Sequence, residues 1–274
     1  MSDIIIKNID GLELLQQQAD NSIDLILTDP PYITSRASGM NKWNLKLKKL
    51  KGNQKTEEEW EIFKKTLSEK IQEKLTDTDK ENYIKYGDRF GKKFGYVTDY
   101  GDWDKEFTVE QLDCFVQEFY RVLKPGGTCI IFFDLWKVTI LKELYEKHRF
   151  KQTRFIEWVK TNPVPINSKL NYLTNSREVA ITAVKKSKPT FHSKYDKGIY
   201  EYPIYGGKDR FHPTQKSLKL FEDLVKKHSN ENDLVLDCFL GSATTALACK
   251  NMNRRFIGAE TDENYYKKSV ERLK

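Results

Sequence analysis

The sequence predicts an α/β protein built on a doubly wound, mostly parallel sheet with helices on both faces. Short apolar runs alternate along the chain with segments of helical spacing, which indicates parallel strands joined by crossover helices. The last unit, residues 234–274, has the order strand, turn, helix, strand, helix and lacks a third strand. Residues 3–8 are free to supply that strand. We therefore expect a circularly permuted nucleotide-binding sheet whose termini meet in space.

The composition describes a polar protein that is large enough for a full core. The chain has 274 residues, 38% of them apolar and 32% charged, and its net charge is +7. No apolar run approaches the ~18 residues of a membrane span, and the N-terminal run is too short for a secretory signal. The cysteines Cys114, Cys129, Cys238 and Cys249 are far apart without metal-ligand spacing. We expect buried thiols in a reducing cytosol, a cytoplasmic location and no bound metal.

The N-terminal third predicts a strand, a helix and a second strand. The strands cover residues 3–8 and 23–28, and the helix covers residues 11–18. The second strand ends abruptly on Asp29-Pro30-Pro31-Tyr32, where proline cannot continue a sheet ladder. The question is why an acid and an aromatic residue flank the two prolines at the end of a buried strand.

Residues 36–100 predict an inserted lobe or loop, because they are rich in Lys and Glu and poor in aliphatic side chains. One helix is expected within this insertion, over residues 55–75. Thr56 and Glu59 have the spacing of a capping box at its start. Its apolar positions are Trp60, Phe63, Leu67, Ile71 and Leu75.

The middle of the chain returns to the alternating pattern. An amphipathic helix over residues 107–127 is expected to end at Pro-Gly-Gly. A strand at 128–133, a helix at 137–148 and a strand at 155–160 follow. A basic and aromatic stretch then precedes the sequence "HPTQK", which leads into a further helix.

The basic and aromatic stretch covers residues 165–211. It contains nine Lys or Arg and four Asp or Glu, a net charge of +5. Basic residues interleaved with aromatic ones suit a phosphate backbone and unstacked bases. A solvated, tyrosine-rich β-ribbon explains the composition equally well.

Near the C-terminus, a strand that ends on Asp237 leads through Gly241 and Ser242 into a helix. Glycine allows close backbone approach, and a helix start offers free N–H groups. Glu260 ends the next strand, about where an acid that binds ribose hydroxyls is expected. The full G-x-G-x-x-G pattern is missing, so a nucleoside without a pyrophosphate is favoured over a dinucleotide. A tight strand–helix junction without a ligand is the alternative.

Two further acids fit the same site. Asp10 follows the first strand and would face the base of the ligand, or it would simply cap the helix that follows. Asp29 can accept a hydrogen bond from a substrate amino group, the Pro30 carbonyl can accept a second one, and Tyr32 can stack on a planar ring. The two prolines hold these acceptors rigidly, as electrostatic catalysis requires. The tetrapeptide therefore predicts a reaction on a planar, amino-bearing substrate.

The motifs "DPPY", "RVLKPGG", "WVKTNP", "HPTQK" and "DCFLGSATT", in this order, resemble those of beta-class amino DNA methyltransferases. Such enzymes occur in bacterial and phage restriction–modification systems or as orphans. The resemblance implies a Rossmann-like methyltransferase fold and an adenine-specific, site-specific DNA methyltransferase. It would flip the base out of DNA and transfer a methyl group from S-adenosylmethionine directly to the adenine N6 amino group.

The resemblance also implies a division of the chain. Residues 1–35, 101–164 and 212–274 would form the catalytic domain, 36–100 the insertion, and 165–211 a candidate target-recognition region.

By the same resemblance, Asp29, Pro30, Pro31 and Tyr32 are the catalytic residues. The expected cofactor-binding residues are Asp10, Thr214, Lys216, Asp237, Phe239, Gly241, Ser242 and Glu260, with Lys216 placed to pair with the cofactor carboxylate. The expected DNA-binding residues are Lys169, Arg177, Lys185, Lys186, Lys208 and Arg210. Trp158 corresponds to a position beside the flipped base, or it is a core tryptophan at a strand end.

Three residues depart from the family pattern: Cys238, Ala243 and Ser217. Cys238 is expected to relax the cofactor turn. Ala243 replaces a usual glycine at the start of a helix, where we expect a negative φ and therefore little cost from the added methyl group.

Other functions remain open at this stage. Cytosine N4 methylation, methylation of RNA or of a protein glutamine, and a DNA-binding protein with impaired catalysis all fit parts of the pattern. The implied partners are double-stranded DNA or single-stranded DNA, a cognate restriction endonuclease and a second copy of the chain, with no membrane.

Overall fold

The computed structural model describes residues 3–32, 55–67, 72–86, 89, 107–163, 173–207 and 210–274. The chain divides into two compact units, Met1–Ile33 with Glu106–Lys274, and Thr34–Lys105. Lys169 and Lys208, two of the expected DNA-binding residues, lie outside the described residues.

The larger unit is built on one eight-stranded sheet. Its strands are β1 (Ile4–Lys7), β2 (Ile23–Thr28), β3 (Leu123–Phe133), β4 (Lys151–Lys160), β5 (Arg177–Val184), β6 (Ile199–Tyr202), β7 (Leu234–Asp237) and β8 (Arg255–Ala259). They lie in the order β1-β8-β7-β2-β3-β5-β4-β6. Neighbouring strands are parallel except where β5 pairs antiparallel with β3 and β4. The mostly parallel α/β class predicted from the sequence is confirmed.

The two ends of the chain meet in the sheet, as the incomplete C-terminal unit predicts. β1 pairs in parallel with β8, from Ile4 opposite Phe256 to Lys7 opposite Ala259. The first strand of the chain therefore completes the sheet next to the last one, and the nucleotide-binding topology is permuted.

Helices cover both faces because the strand side chains alternate between two apolar cores. One core packs against α1 (Gly11–Gln16), α4 (Val109–Val122) and α5 (Val138–Lys147), and it contains Cys129 and Ile131 of β3. The other core packs against α6 (Leu218–His228) and α7 (Thr244–Asn251), and it contains Ile130 and Phe132. The last helix is α8 (Glu263–Leu273).

The stretch 165–211 is not a separate region, which corrects the expected domain boundary. It contains β5, which lies between β3 and β4 with Val179 and Ala183 buried. The apolar run "VAITAV" within this basic stretch forms a central strand because both of its faces are covered by the two cores. β6 from the same stretch forms one edge of the sheet.

Two further boundaries differ from the prediction. α4 ends at Val122, and β3 begins at Leu123, so Pro-Gly-Gly lies inside a strand. Gly127 is required there because a Cβ atom would lie 2.8 Å from the carbonyl oxygen of Asp24 in β2.

In the described residues of the smaller unit, two helices are present, α2 (Glu57–Lys65) and α3 (Asp77–Tyr86). The predicted capping box of Thr56 and Glu59 is confirmed at the start of α2. The single helix expected over residues 55–75 is wrong, since the Thr66 hydroxyl donates to the Phe63 carbonyl as the helix ends. Trp60, Phe63 and Tyr83 pack together across the two helices.

Within the described part of the chain, no helix combines the length and the apolar character needed to cross a membrane.

Candidate active site at the carboxyl edge of the sheet

The tetrapeptide that begins at Asp29 and the turn that begins at Asp237 lie side by side. β2 and β7 are parallel neighbours, so the residues after them emerge at the same edge. The hydroxyl of Thr28, the last residue of β2, donates to Asp237 Oδ1 at 2.6 Å. Two segments that are far apart in sequence therefore form one site.

Asp237 holds the glycine turn in place. Its buried carboxylate accepts hydrogen bonds from Thr28, from the Thr245 hydroxyl at 2.6 Å and from the Phe239 backbone N–H at 3.0 Å. This acid therefore links β2, the turn and the start of α7 through groups of the chain itself. A direct contact of the Asp237 carboxylate with a ligand is not needed to explain its burial.

Glu260 fixes the same turn from the neighbouring strand. Its Oε2 accepts from the Gly241 backbone N–H at 2.8 Å, and its Oε1 accepts from the Asp262 backbone N–H at 2.9 Å. Burial raises the pKa of the Glu260 carboxyl to about 7. Each oxygen keeps a lone pair with which it can accept a further donor from a ligand.

Gly241 is favoured by its backbone conformation, and a side chain there would make ordinary contact with its neighbour. Its φ is +52°, and a Cβ atom would touch the His212 ring at 3.5 Å. His212 also packs against Tyr265, with 4.5 Å between ring centroids, and burial lowers its pKa to about 4. His212 is not among the residues predicted from the sequence, although "HPTQK" contains it. This neutral imidazole packs on the turn as a rigid cover.

Ala243 contradicts the expectation of a negative φ. It lies just before α7 with φ +59° and ψ +31°, the left-handed conformation. The methyl group is therefore strained where the family pattern has glycine. The added methyl group has a conformational cost because of the left-handed backbone conformation, and not because of a steric clash.

Ala243→Gly is expected to leave the free energy of unfolding within about 1 kcal/mol of the wild type, because relief of left-handed strain offsets the added chain entropy of glycine and the loss of a fully buried methyl group. Denaturant unfolding measures this change. Ala246→Gly is the matched control within α7, where glycine should lower stability by about 1 kcal/mol or more. Equal losses in both variants would contradict the strain.

Asp10 caps α1, as the local alternative predicts. Its Oδ1 accepts from the Leu12 N–H at 2.7 Å and from the Glu13 N–H at 3.3 Å. The segment nevertheless adjoins the glycine turn, since a Cβ atom on Gly11 would lie 2.8 Å from the Cys238 carbonyl oxygen.

Phe239 continues the turn with an aromatic face. It packs against Phe115 and Phe107, with 4.7 Å and 5.5 Å between ring centroids. The ring remains partly exposed and offers an apolar wall beside the turn.

Ser242 and Thr214 have partners within the chain. The Ser242 carbonyl accepts from Arg272 at 2.6 Å, which joins the turn to α8. The Thr214 backbone N–H donates to His212 Nδ1 at 3.3 Å. Both residues lie in segments that shape the site.

Asp29 has one occupied and one unoccupied carboxylate oxygen. Oδ2 lies 2.9 Å from the ammonium of Lys216. Oδ1 is fully shielded and has no hydrogen-bond partner among the described residues. Burial raises the pKa of Asp29 to about 6, and the Lys216 ammonium opposes that rise. A buried acceptor without a donor is costly unless a ligand supplies the donor.

Lys216 lies at the tetrapeptide, which corrects the expectation that it pairs with a cofactor carboxylate. Its ammonium contacts Asp29 and, at 2.5 Å, the Oε2 of Glu178 at the start of β5. Lys160 lies 2.8 Å from the other oxygen of Glu178. The positive charge of Lys216 is thus already shared by two carboxylates. Glu178 is not among the site residues predicted from the sequence.

Gln215, beside Lys216, was also missed. It is 5% exposed, and neither its amide nitrogen nor its amide oxygen has a partner in the described structure. A donor and an acceptor buried together in this way fit a ligand that carries both kinds of group.

The aromatic residues of the site differ in exposure. Tyr32 is half-buried and meets the edge of Phe133, with 6.2 Å between ring centroids. Trp136, just after β3, is 87% exposed. Trp158 is buried in the sheet and donates to the Tyr202 carbonyl at 2.8 Å, so it is a core residue.

The expected DNA-binding residues lie on two sides of the sheet, one at the carboxyl ends of its parallel strands and the other at their amino ends. Because β5 is antiparallel, Arg177 lies at the edge of the tetrapeptide, and Lys185 and Lys186 lie at the opposite edge. Lys185 is buried and donates to Asn21 Oδ1 at 2.8 Å, so the prediction of DNA contact is wrong for it. Arg210 donates to the backbone carbonyls of His212 and Pro213.

A family model described as DNA methylase matches residues 23–271 of the chain. The type II methyltransferase M2.LlaDCHI of Lactococcus lactis subsp. cremoris is 27% identical over 288 residues, which cover 98% of this chain and 88% of the relative.

Two solved structures have a similar fold. The M1.HpyAVI–SAM complex has a TM-score of 0.60 and 24% identity, and the match covers 98% of both chains. The cytosine-N4-specific PvuII DNA methyltransferase has a TM-score of 0.66 and 16% identity, and the match covers 100% of this chain and 87% of the other.

Proposed function

Since the chain belongs to the DNA methylase family, we propose that it is a site-specific DNA methyltransferase that modifies the N6 amino group of adenine with S-adenosylmethionine as methyl donor. The observation that carries this proposal is the shielded Oδ1 of Asp29, which lies next to the glycine turn and has no partner among the described residues. That oxygen can accept a hydrogen bond from a ligand, and an exocyclic amino group would donate one through its N–H.

The donor set of the turn fits S-adenosylmethionine. Glu260 can accept hydrogen bonds from ribose hydroxyls, Phe239 can pack against the adenine, and the Gln215 amide can serve the ammonium and carboxylate of the amino-acid end. When bound, this cofactor supplies an electrophilic methyl group, and the electrons of the broken carbon–sulfur bond stay on sulfur. Asp237 and Gly241 would hold the turn that receives it.

Asp29 would activate the amine and later receive its proton. The nitrogen lone pair of adenine N6 is delocalised into the ring, which makes it a poor nucleophile. Hydrogen bonds from its two N–H groups to Asp29 Oδ1 and the Pro30 carbonyl favour tetrahedral geometry and free the lone pair for attack. Methylation leaves a positive charge on nitrogen, and loss of one proton to Asp29 or to water restores neutrality. The site thus works by positioning and electrostatics.

The target base must leave the duplex to reach Asp29, at a cost of a few kcal/mol. Stacking on Tyr32, worth about 1–3 kcal/mol per base, would return part of this cost. The exposed Trp136 at the same edge is suited to contact a neighbouring base or the gap in the stack.

Arg177 is 62% exposed at this edge and is the described member of the expected DNA-binding set best placed to contact phosphate. The stretch 165–211 would supply further contacts outside β5. A cognate restriction endonuclease, a homodimer and a cytoplasmic location are further parts of this proposal; the type II name of the Lactococcus relative supports the first of them.

Cytosine N4 methylation is the second candidate. The fold similarity to the cytosine-N4-specific PvuII enzyme favours it, and the same two acceptors could hold the cytosine amine. Asp29 before Pro-Pro-Tyr resembles the adenine enzymes of the family, which is why we place adenine first.

Incubation with S-adenosylmethionine labelled in the methyl group, followed by nucleoside chromatography of the DNA, tests the function. Unmethylated genomic DNA and total RNA are compared as substrates. Label in N6-methyladenine from DNA is expected. Label in N4-methylcytosine would select the second candidate, and label in RNA alone or no label would overturn both.

A further inference from the structure

Four charged side chains form a continuous row of ion pairs behind the tetrapeptide, which we call the charge chain. Lys160 lies 2.8 Å from Glu178 Oε1, Glu178 Oε2 lies 2.5 Å from Lys216, and Lys216 lies 2.9 Å from Asp29 Oδ2. The four charges sum to zero, and they come from β4, β5, the "HPTQK" segment and the end of β2. The order of signs alternates from one end to the other.

Lys216 is the central member of this chain, and its side chain is only 8% exposed. A buried ammonium between two carboxylates is divided between them. If Glu178 were neutral, nothing would draw Lys216 away from Asp29, and the ammonium could cover both oxygens of that carboxylate. With Glu178 ionised, Lys216 contacts Oδ2, and Oδ1 has no partner in the part of the chain that the structure describes.

We propose that Lys216 and Glu178 are positioning residues for the methyl transfer. The Lys216 ammonium favours the ionised form of Asp29 and fixes the orientation of its carboxylate. Glu178 attracts the same ammonium, so Lys216 contacts Oδ2 of Asp29 and leaves Oδ1 available to the target amine. The inference rests on the proposed function, because the amine of the target base is the ligand that would donate a hydrogen bond to Asp29 Oδ1.

The groups around Asp29 act in opposite directions. Burial, Glu178 on β5 and Asp237 on β7 each favour the protonated carboxyl, whereas Lys216 favours the ionised form. Tyr32, on the same loop as Asp29, is a neutral neighbour because burial raises its pKa. Lys160 on β4 acts on Asp29 only through Glu178. The balance of these groups places the pKa of Asp29 at about 6.

The charge chain predicts that loss of Lys216 and loss of Glu178 shift the titration midpoint of Asp29 in opposite directions. Lys216→Met removes the cation that favours ionised Asp29, so the titration midpoint of Asp29 should rise by about 1–3 pH units. Glu178→Gln removes a nearby negative charge, so the same midpoint should fall by about one pH unit. A merely structural role of the two residues would not produce two opposite shifts.

Carbon-13 NMR of protein labelled at the aspartate carboxyl groups measures the midpoint directly, and the signal missing in Asp29→Asn identifies the residue. Lys216→Arg keeps the charge and should restore a midpoint near that of the wild type. Lys227→Met is the matched control, since the Lys227 ammonium likewise contacts two carboxylates, Asp196 and Asp223, elsewhere in the fold. It should leave the Asp29 midpoint unchanged.

The pH profile of kcat/KM on DNA is the second readout. Only ionised Asp29 accepts the amine, so activity should rise with pH through about 6 in the wild type and at higher pH in Lys216→Met. At pH 7 that variant should lose between about twofold and about 100-fold in kcat/KM, the span that a midpoint rise of 1–3 pH units produces.

The two readouts separate the possible failures. An Asp29 midpoint that does not move in Lys216→Met, or that moves as much in Lys227→Met, would overturn the charge chain. Shifted midpoints with a pH profile that stays in place would overturn the link to the target amine. Shifted midpoints in a protein that methylates no DNA would retain the charge chain and contradict the proposed function.

Discussion

Asp29→Ala is expected to lower kcat on DNA by about 10³-fold or more while duplex binding stays nearly intact. Loss of one preorganised hydrogen-bonding group at a reacting centre costs about 10²–10³ in rate, and this variant also removes the group placed to take the proton. Binding should persist because Asp29 is half-buried at the base of the site, whereas the phosphate backbone meets basic residues such as Arg177. Single-turnover methylation and fluorescence anisotropy with labelled duplex measure the two quantities.

Asp196→Ala is the control for this variant. Asp196 is likewise paired with a buried lysine, at 2.9 Å from Lys227, but it lies before β6 and away from the tetrapeptide. Its loss should change stability more than turnover. Wild-type turnover in Asp29→Ala, or an equal loss in Asp196→Ala, would contradict the assignment of Asp29.

Glu260→Ala is expected to weaken S-adenosylmethionine binding by about 10²-fold without changing which base is methylated. The variant removes the acceptor proposed for the ribose hydroxyls. It also releases the backbone N–H groups of Gly241 and Asp262 from their carboxylate partner. Loss of hydrogen bonds to a charged group costs about 1.5–3 kcal/mol, which corresponds to this range. Calorimetric titration of the cofactor measures the affinity.

Glu263→Ala controls for a general effect of charge near the start of α8, since Glu263 is 68% exposed and forms an ion pair with Lys267 on the surface. Thermal unfolding of each variant shows whether the turn has collapsed. An unchanged cofactor affinity in Glu260→Ala would count against the ribose contact, and a change in the methylated base would count against the separation of the two half-sites.

The fold could be predicted where a local pattern determines the structure. The strand at Ile23–Thr28 is built on the apolar run of residues 25–27, and α4 has an apolar face at helical spacing, so both follow from sequence patterns. The permuted sheet could be predicted because the C-terminal unit lacks a third strand and the first strand of the chain is free to supply it. β5 was missed because its apolar run lies within a basic stretch whose average composition hides it, and because an antiparallel strand breaks the alternating pattern.

The site could be predicted in outline but not in its pairings. The tetrapeptide and the glycine turn were found because their residue types are distinctive. The partners of Lys216 were not, since Glu178 is 38 residues away and only the sheet brings them together. The strain at Ala243 was missed for a different reason, because φ is set by the turn as a whole and not by residue type.

The account depends on one geometric claim, that the tetrapeptide and the glycine turn serve the same reaction. A crystal structure with S-adenosylmethionine tests it most directly. If a base amine bonds to Asp29 at about 2.9 Å and its lone pair meets the methyl carbon at about 3–3.5 Å at a near-tetrahedral angle, the methyl carbon should lie about 5 Å from Asp29 Oδ1 with open space between them. A cofactor methyl group that points away from Asp29, with protein atoms between the two, would contradict the account.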